Sequence, residues 1–162
     1  MVRPLRIPSA QVISAVSHLA SPKRALDAWA SVANRGAVLL VQETEYLVSD
    51  TPALVRYYEL LAELQRRCGQ AMDVGPHVDA ALRHGAWRVR VSRVRPLSHD
   101  ARTMARLHVM NLRTWREDPV AVEAFERAEL LRVEDAVAAV ADGRIPTQPV
   151  RQGLREIVAA LG

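Results

Sequence analysis

The sequence predicts an α/β fold whose sheet begins parallel, and three stretches carry that expectation. "QVISAVSHLASP", Gln11 to Pro22, is an apolar run of strand type that passes through Ser14, Ser17 and His18 into a Ser-Pro helix start. "GAVLLVQETEY" follows one helix later, with Ala37 to Val41 continuous and apolar, as expected of a strand buried on both faces. "AWRVRVSRVRPL" instead alternates Trp87, Val89 and Val91 against Arg88 and Arg90, the pattern of a half-exposed strand. The first two strands and the helix between them make a βαβ unit, whose crossover is expected to be right-handed.

Each remaining element has a local reason. Ser21 is a good N-cap and Pro22 suits the first helical position, where its missing N–H costs nothing. Ala25, Leu26, Trp29 and Val32 then recur at helical spacing, and Asn34 to Gly36 close the helix. Asp50 or Thr51 caps a second helix that begins at Pro52 and sets Leu54, Tyr57/Tyr58, Leu61 and Leu64 on one face. "PHVDAALRHG" predicts a shorter helix. In the third strand the phase slips at Ser92, because Val94 is out of register with Val91, which predicts a bulge or the strand's end. The last third is mostly helical: "ARTMARLHVMNLRTW", and then one helix running from an Asp118-Pro119 cap through "VAVEAFERAELLRVEDAVAAVADG". "GLREIVAALG" suits either a helix or a closing antiparallel strand, and completion of the sheet favours the strand.

Composition bounds the function. With 162 residues, 49% of them apolar and 25% charged, the chain has enough apolar material for a globular core. Its net charge of +4 rests on arginine, since Lys23 is the only lysine, and this is a weak indication of partners. Arg83, Arg88, Arg90, Arg93 and Arg95 suit the solvated face of an edge strand better than a phosphate-binding surface, so nucleic acid is not an expected partner. Cys68 is the sole cysteine, which excludes a disulfide framework and suits a reducing cytoplasm. No apolar run approaches the ~20 residues that a membrane helix needs. His77, His84 and His99 lack metal-ligand spacing, and no metal is expected.

Taken together, these stretches resemble the C-terminal half of a class I S-adenosylmethionine-dependent methyltransferase. In that family the fourth strand is an apolar run ending near a His, followed by a helix and strand of the form "dP…aL..w..vL.pGG.lll.e". "VISAVSHLASPKRALDAWASVANRGAVLLVQETE" is similar nearly position by position. "VGPHVDAALRHGAWRVRVSRVRPL" resembles the family's later helix and sixth strand. The likeness covers Gln11 to Leu97 and extends more loosely beyond. It implies a partial Rossmann-like methyltransferase sheet, with strands equivalent to 4-5-7-6 of the family order 3-2-1-4-5-7-6, and a helical cover. Residues 1–162 then form a single methyltransferase-like domain, with 98–145 a helical insertion or cover.

The resemblance further implies S-adenosylmethionine as cofactor and a small molecule as methyl acceptor. Ser14, Ala15, Val16 and Ser17 would touch the cofactor, at the strand end where open α/β sheets bind ligands. His18 stands where a general base or substrate-orienting group acts, or packs at the strand-helix turn. Glu43 faces the same crevice or is solvated. Tyr57 and Tyr58 line a substrate pocket or lie in the core, and His108, with Asn111 and Arg113, reaches the active face or bonds within the helical cover. Absent from the sequence are the family's Gly-rich "DxGxGxG" loop and the acidic residue that holds the ribose; the first glycine is Gly36.

The expected consequence is a truncated crevice with one wall missing. A strand built to be central, Val12 to Val16, becomes an edge that favours pairing with another chain. That chain is a separate N-terminal half or a second copy, in a homodimer. The alternative is a non-catalytic methyltransferase-like interaction module, or a gene fragment.

Overall fold

The structure is a computed structural model that describes residues 11–13, 19 and 21–162. Among these residues the elements run β1 (Gln11–Ile13), α1 (Pro22–Val32), β2 (Val38–Val48), α2 (Pro52–Arg67), α3 (Gly75–Arg83) and β3 (Trp87–His99). They continue with α4 (Ala101–Trp115), α5 (Pro119–Ala124), α6 (Arg127–Ala141) and β4 (Val150–Leu161). The fold is mixed α/β, with one four-stranded sheet in the order β1-β2-β4-β3.

β1 runs parallel to β2, with Gln11 opposite Leu39, Val12 opposite Leu40 and Ile13 opposite Val41. The C-terminal segment is indeed a strand, and it enters the sheet between two earlier ones. At one end the Leu161 N–H donates to the Ala37 carbonyl at 2.9 Å, while at the other Arg151 meets Asp50. The Gly162 N–H reaches the Ala86 carbonyl, and His99 bonds Gln152 at 2.7 Å. Rising numbers on β2 and β3 thus meet falling numbers on β4, so β4 is antiparallel to both neighbours.

The chain divides into two compact units. The first comprises Met1–Glu45, Asp73–Pro96 and Gly153–Gly162. Here α1 and α3 pack together, and Leu26, Val78 and Leu82 join Leu39, Val41, Ile157 and Ala159 of the strands in one core. α1 starts as its sequence predicts: the Ser21 hydroxyl accepts from the Arg24 N–H, Pro22 follows, and Gly36 takes the left-handed conformation (φ 81°) just beyond the helix. Trp87 fixes the start of β3 by donating its indole N–H to the Leu26 carbonyl at 3.0 Å, the kind of pairing that a buried indole usually makes.

The second unit comprises Tyr46–Met72 and Leu97–Gln152. In it α4 and α2 both pack on α6, around Leu54, Tyr57, Leu60, Ala105, Leu112, Val137 and Val140. Asp118 caps α5 as expected, accepting from the Val120 N–H at 2.8 Å. The expected single helix after it is two. Phe125 and Glu126 are extended, which ends α5 and starts α6. The break lets the Phe125 ring turn toward Trp115, at 6.4 Å between centroids, where continuous helix would direct it along the α5 surface.

β3 also departs in detail from its sequence pattern. Trp87 and Val89 pack into the first unit's core, but Val91 is 43% exposed and Ser92 takes the next inward place. The inward step from Val89 to Ser92 is three residues, so the alternation slips one position earlier than Val94 suggests.

Candidate functional site

Of the residues expected to form a crevice, Ser14, Ala15, Val16, Ser17 and His18 lie outside the described residues. Glu43 lies on β2, 5% exposed, on the same face as Leu39, Val41 and Glu45. Strand alternation places these four together, and β4 supplies Arg155, Ile157 and Ala159 on that face. Arg155 is the centre of a charged group there. Its Nε and Nη2 donate to the two Glu45 oxygens at 2.5 Å each, and its Nη1 donates to Ser92 Oγ at 2.8 Å. The pairing with Glu45 raises the Arg155 pKa further above its ordinary value. Asp79 of α3 stands nearby: burial pushes its pKa up, but hydrogen bonds from Arg83 and Ser92 outweigh that and hold the carboxyl below its ordinary value.

α3 approaches this group closely because it begins with Gly75. A β-carbon there would stand 2.8 Å from Glu45 Oε2, 3.1 Å from Arg155 Cβ and 3.1 Å from the Thr44 carbonyl oxygen. The charges are bonded to one another, with three of the five Arg155 N–H groups committed to Glu45 and Ser92, so the arrangement ties the three strands together.

Among the described residues, the opposite face of the same strands is concave. Leu40, Gln42, Val91, Arg93, Glu156 and Val158 line a concavity of about 440 Å³. Glu156 ties its strands together, accepting from Gln42 at 3.2 Å, Arg93 at 2.9 Å and Arg95 at 2.9 Å, and the arginines lower its pKa. The concavity is therefore apolar with one polar stripe. Three of the five arginines weighed as a basic surface are paired here or nearby: Arg93 and Arg95 with Glu156, and Arg83 with Asp79.

In the second unit the structure brings Tyr57, Tyr58 and His108 together, from α2 and α4. Tyr58 Oη lies 3.0 Å from His108 Nε2, and Tyr57 stacks on the imidazole at 4.3 Å between centroids. His108 is 4% exposed, and burial pushes its pKa down to about 4, so the ring is neutral at pH 7. Burial raises both tyrosine pKa values. Whichever tautomer His108 adopts, its Nδ1 has no hydrogen-bond partner, and neither the Tyr57 hydroxyl nor the Trp115 indole N–H has one of normal geometry. Arg113, weighed for the active face, instead donates from Nε to the buried Glu134 at 2.7 Å, and Arg116 bonds the other Glu134 oxygen. No group of three or more His, Cys, Asp or Glu among the described residues is placed to hold a metal ion. No described helix is long and apolar enough to cross a membrane.

No family model and no curated protein matches the chain. Solved structures do. Mycolic acid cyclopropane synthase CmaA1 complexed with SAH and CTAB is similar over 94% of this chain and 55% of its own, at 13% identity and a TM-score of 0.43. The apo form of CmaA1 matches 95% of this chain and 59% of its own, at 14% identity and a TM-score of 0.41. A protein assigned as a sarcosine dimethylglycine methyltransferase, from Galdieria sulphuraria, matches 91% of this chain and 52% of its own, at 10% identity and a TM-score of 0.38. The chain thus spans between half and three fifths of the length of these neighbours.

Sequence reasoning misses Arg155, Glu156 and Glu45. The signal is nevertheless local: in "LREIVAAL" adjacent charges on a strand point to opposite faces, so each needs its own partner. Their partners lie in β2 and β3, distant in sequence.

Proposed function

We propose that the chain is the C-terminal half of a class I S-adenosylmethionine-dependent methyltransferase fold, acting on a small molecule when strands from outside these 162 residues complete it. The observation that carries this reading is the strand order β1-β2-β4-β3, with β1 parallel to β2 and β4 antiparallel between β2 and β3. A late strand inserted between two earlier ones is what strands 4-5-7-6 of that family's sheet require.

The described residues do not by themselves fit the cofactor. Close backbone approach to a nucleoside or its charged tail calls for glycines with positive φ at a strand-to-helix turn. Gly36, Gly69 and Gly143 are the described positive-φ glycines, and each follows a helix. The proposal therefore assigns the Gly-rich wall to strands outside these 162 residues that pair along Val12 to Val16, whether upstream residues, a separate N-terminal half or a second copy supplies them. Ser14, Ala15, Val16 and Ser17 form the near lip, with His18 and Glu43 toward the acceptor. Tyr57, Tyr58 and His108 enter the proposal as packing of the second unit. A lone, exposed Cys68 suits the reducing cytoplasm in which we place the protein.

The test is calorimetric titration of the purified chain with S-adenosylmethionine, with mass measured in the same buffer. The proposal expects no heat of binding from the monomer, and uptake only where a discrete larger species forms. Micromolar binding by the monomer would refute the missing wall. A discrete oligomer that never takes up the cofactor would favour the non-catalytic pairing module.

A further inference from the structure

The break between α5 and α6 leaves a cavity of about 80 Å³ in the second unit, walled by Val122, Phe125, Leu130 and Leu131. Leu130 is buried at its floor, whereas Val122 is 61% exposed and Leu131 is also exposed. Apolar walls that open to water beneath a charged rim are the usual form of a small-ligand site.

Arg116, Glu117 and Arg127 form that rim, and they satisfy one another poorly. Arg116 commits Nη1 to Glu134, but its buried Nε has no hydrogen-bond acceptor. Glu117 Oε1 stands 3.4 Å from that Nε and 4.0 Å from Arg127 Nη2, close enough for attraction and without hydrogen-bond geometry to the Nε. One exposed carboxylate oxygen therefore hangs loosely between two guanidinium groups. A buried N–H without an acceptor is costly, and a well-placed carboxylate is the group that would satisfy it.

We propose that this cavity binds a small branched aliphatic carboxylate. Its alkyl group lies against Val122, Phe125, Leu130 and Leu131, and its carboxylate takes the place of Glu117 between Arg116 and Arg127. The volume restricts the tail to a few carbons, and the guanidinium groups select an acid over its amide. The cavity lies wholly within the second unit, so the inference stands apart from the methyltransferase reading.

The experiment titrates isovalerate into the full chain carrying 13C-labelled methyl groups, with isovaleramide as the neutral control. Saturable shifts are expected at the Val122, Leu130 and Leu131 methyls, with the acid binding about ten-fold tighter than the amide. Arg127→Ala, at a side chain 81% exposed, should weaken the acid about five-fold and leave the amide unchanged. Glu117→Gln should tighten the acid about three-fold by removing the competing carboxylate. The proposal is overturned by equal affinity for acid and amide, by no saturable shift at millimolar isovalerate, or by an unchanged affinity in Glu117→Gln. Both substitutions sit on exposed side chains, and an unchanged spectrum away from the cavity separates loss of the site from loss of the fold.

Discussion

Acidification offers a direct trial of the Tyr58–His108 pair. The imidazole is buried with its Nε2 3.0 Å from the Tyr58 hydroxyl, and its pKa falls from 6.5 to about 4. In the unfolded chain the same ring titrates near its ordinary value of about 6.5. Between those two values the unfolded state binds the extra proton, so stability is complete above pH 6.5 and falls as pH drops toward 4. The full difference corresponds to about 3 kcal/mol, of which about 2 kcal/mol is lost by pH 5. Urea unfolding followed by the methyl NMR signals of Val109 and Leu112 reports on this unit, because both lie on α4 with His108 in the same core. Wild type should lose that stability between pH 7 and pH 5, where the carboxylates remain ionised. His108→Gln keeps a neutral hydrogen-bonding side chain and should be less stable at pH 7, yet nearly flat over the same range. An equal loss in the variant would show that another group binds the proton, and the neutral buried ring would have to be abandoned.

Substitutions at three further positions test the packing. Gly75→Ala brings a β-carbon against Glu45 Oε2, Arg155 Cβ and the Thr44 carbonyl, two of which cannot swing aside, and should cost about 1–3 kcal/mol in a thermal melt. Glu45→Ala strips Arg155 of its bidentate partner in a half-buried place and should cost about 2–3 kcal/mol, more than the reverse loss at an exposed pair such as Lys23–Asp27. Gly143→Ala meets only the movable Arg102 guanidinium, so its cost is the left-handed backbone (φ 72°), about 1 kcal/mol, and Gly143→Asn should recover part of it.

Those elements whose reason is local were legible in the sequence. Ser21-Pro22, Asp118-Pro119 and the apolar run at Ala37 each act through residues a few positions apart, and each appears where the pattern puts it. The final strand was legible only through the sheet it had to complete, since Leu154, Ile157 and Leu161 suit a helix as well. The interruption at Phe125 was hidden because "VAVEAFERAELL" keeps helical spacing throughout, and the Phe125–Trp115 contact that accompanies the break is tertiary. In the candidate site, Tyr57, Tyr58 and His108 could each be placed on an apolar helix face, but their meeting depends on how α2 and α4 pack. The grip of Arg155 on Glu45 spans more than a hundred residues, and no pattern short of the fold contains it.

The place of β4 between β2 and β3 also bears on how the chain is made. On the ribosome β2 and β3 emerge long before β4, and neither pairs with the other in the finished sheet. Until Val150 to Leu161 leave the exit tunnel, each has an unclaimed edge facing the position that β4 will fill. A nascent chain halted before Val150 would carry two such edges at once, and would be the form most in need of a chaperone.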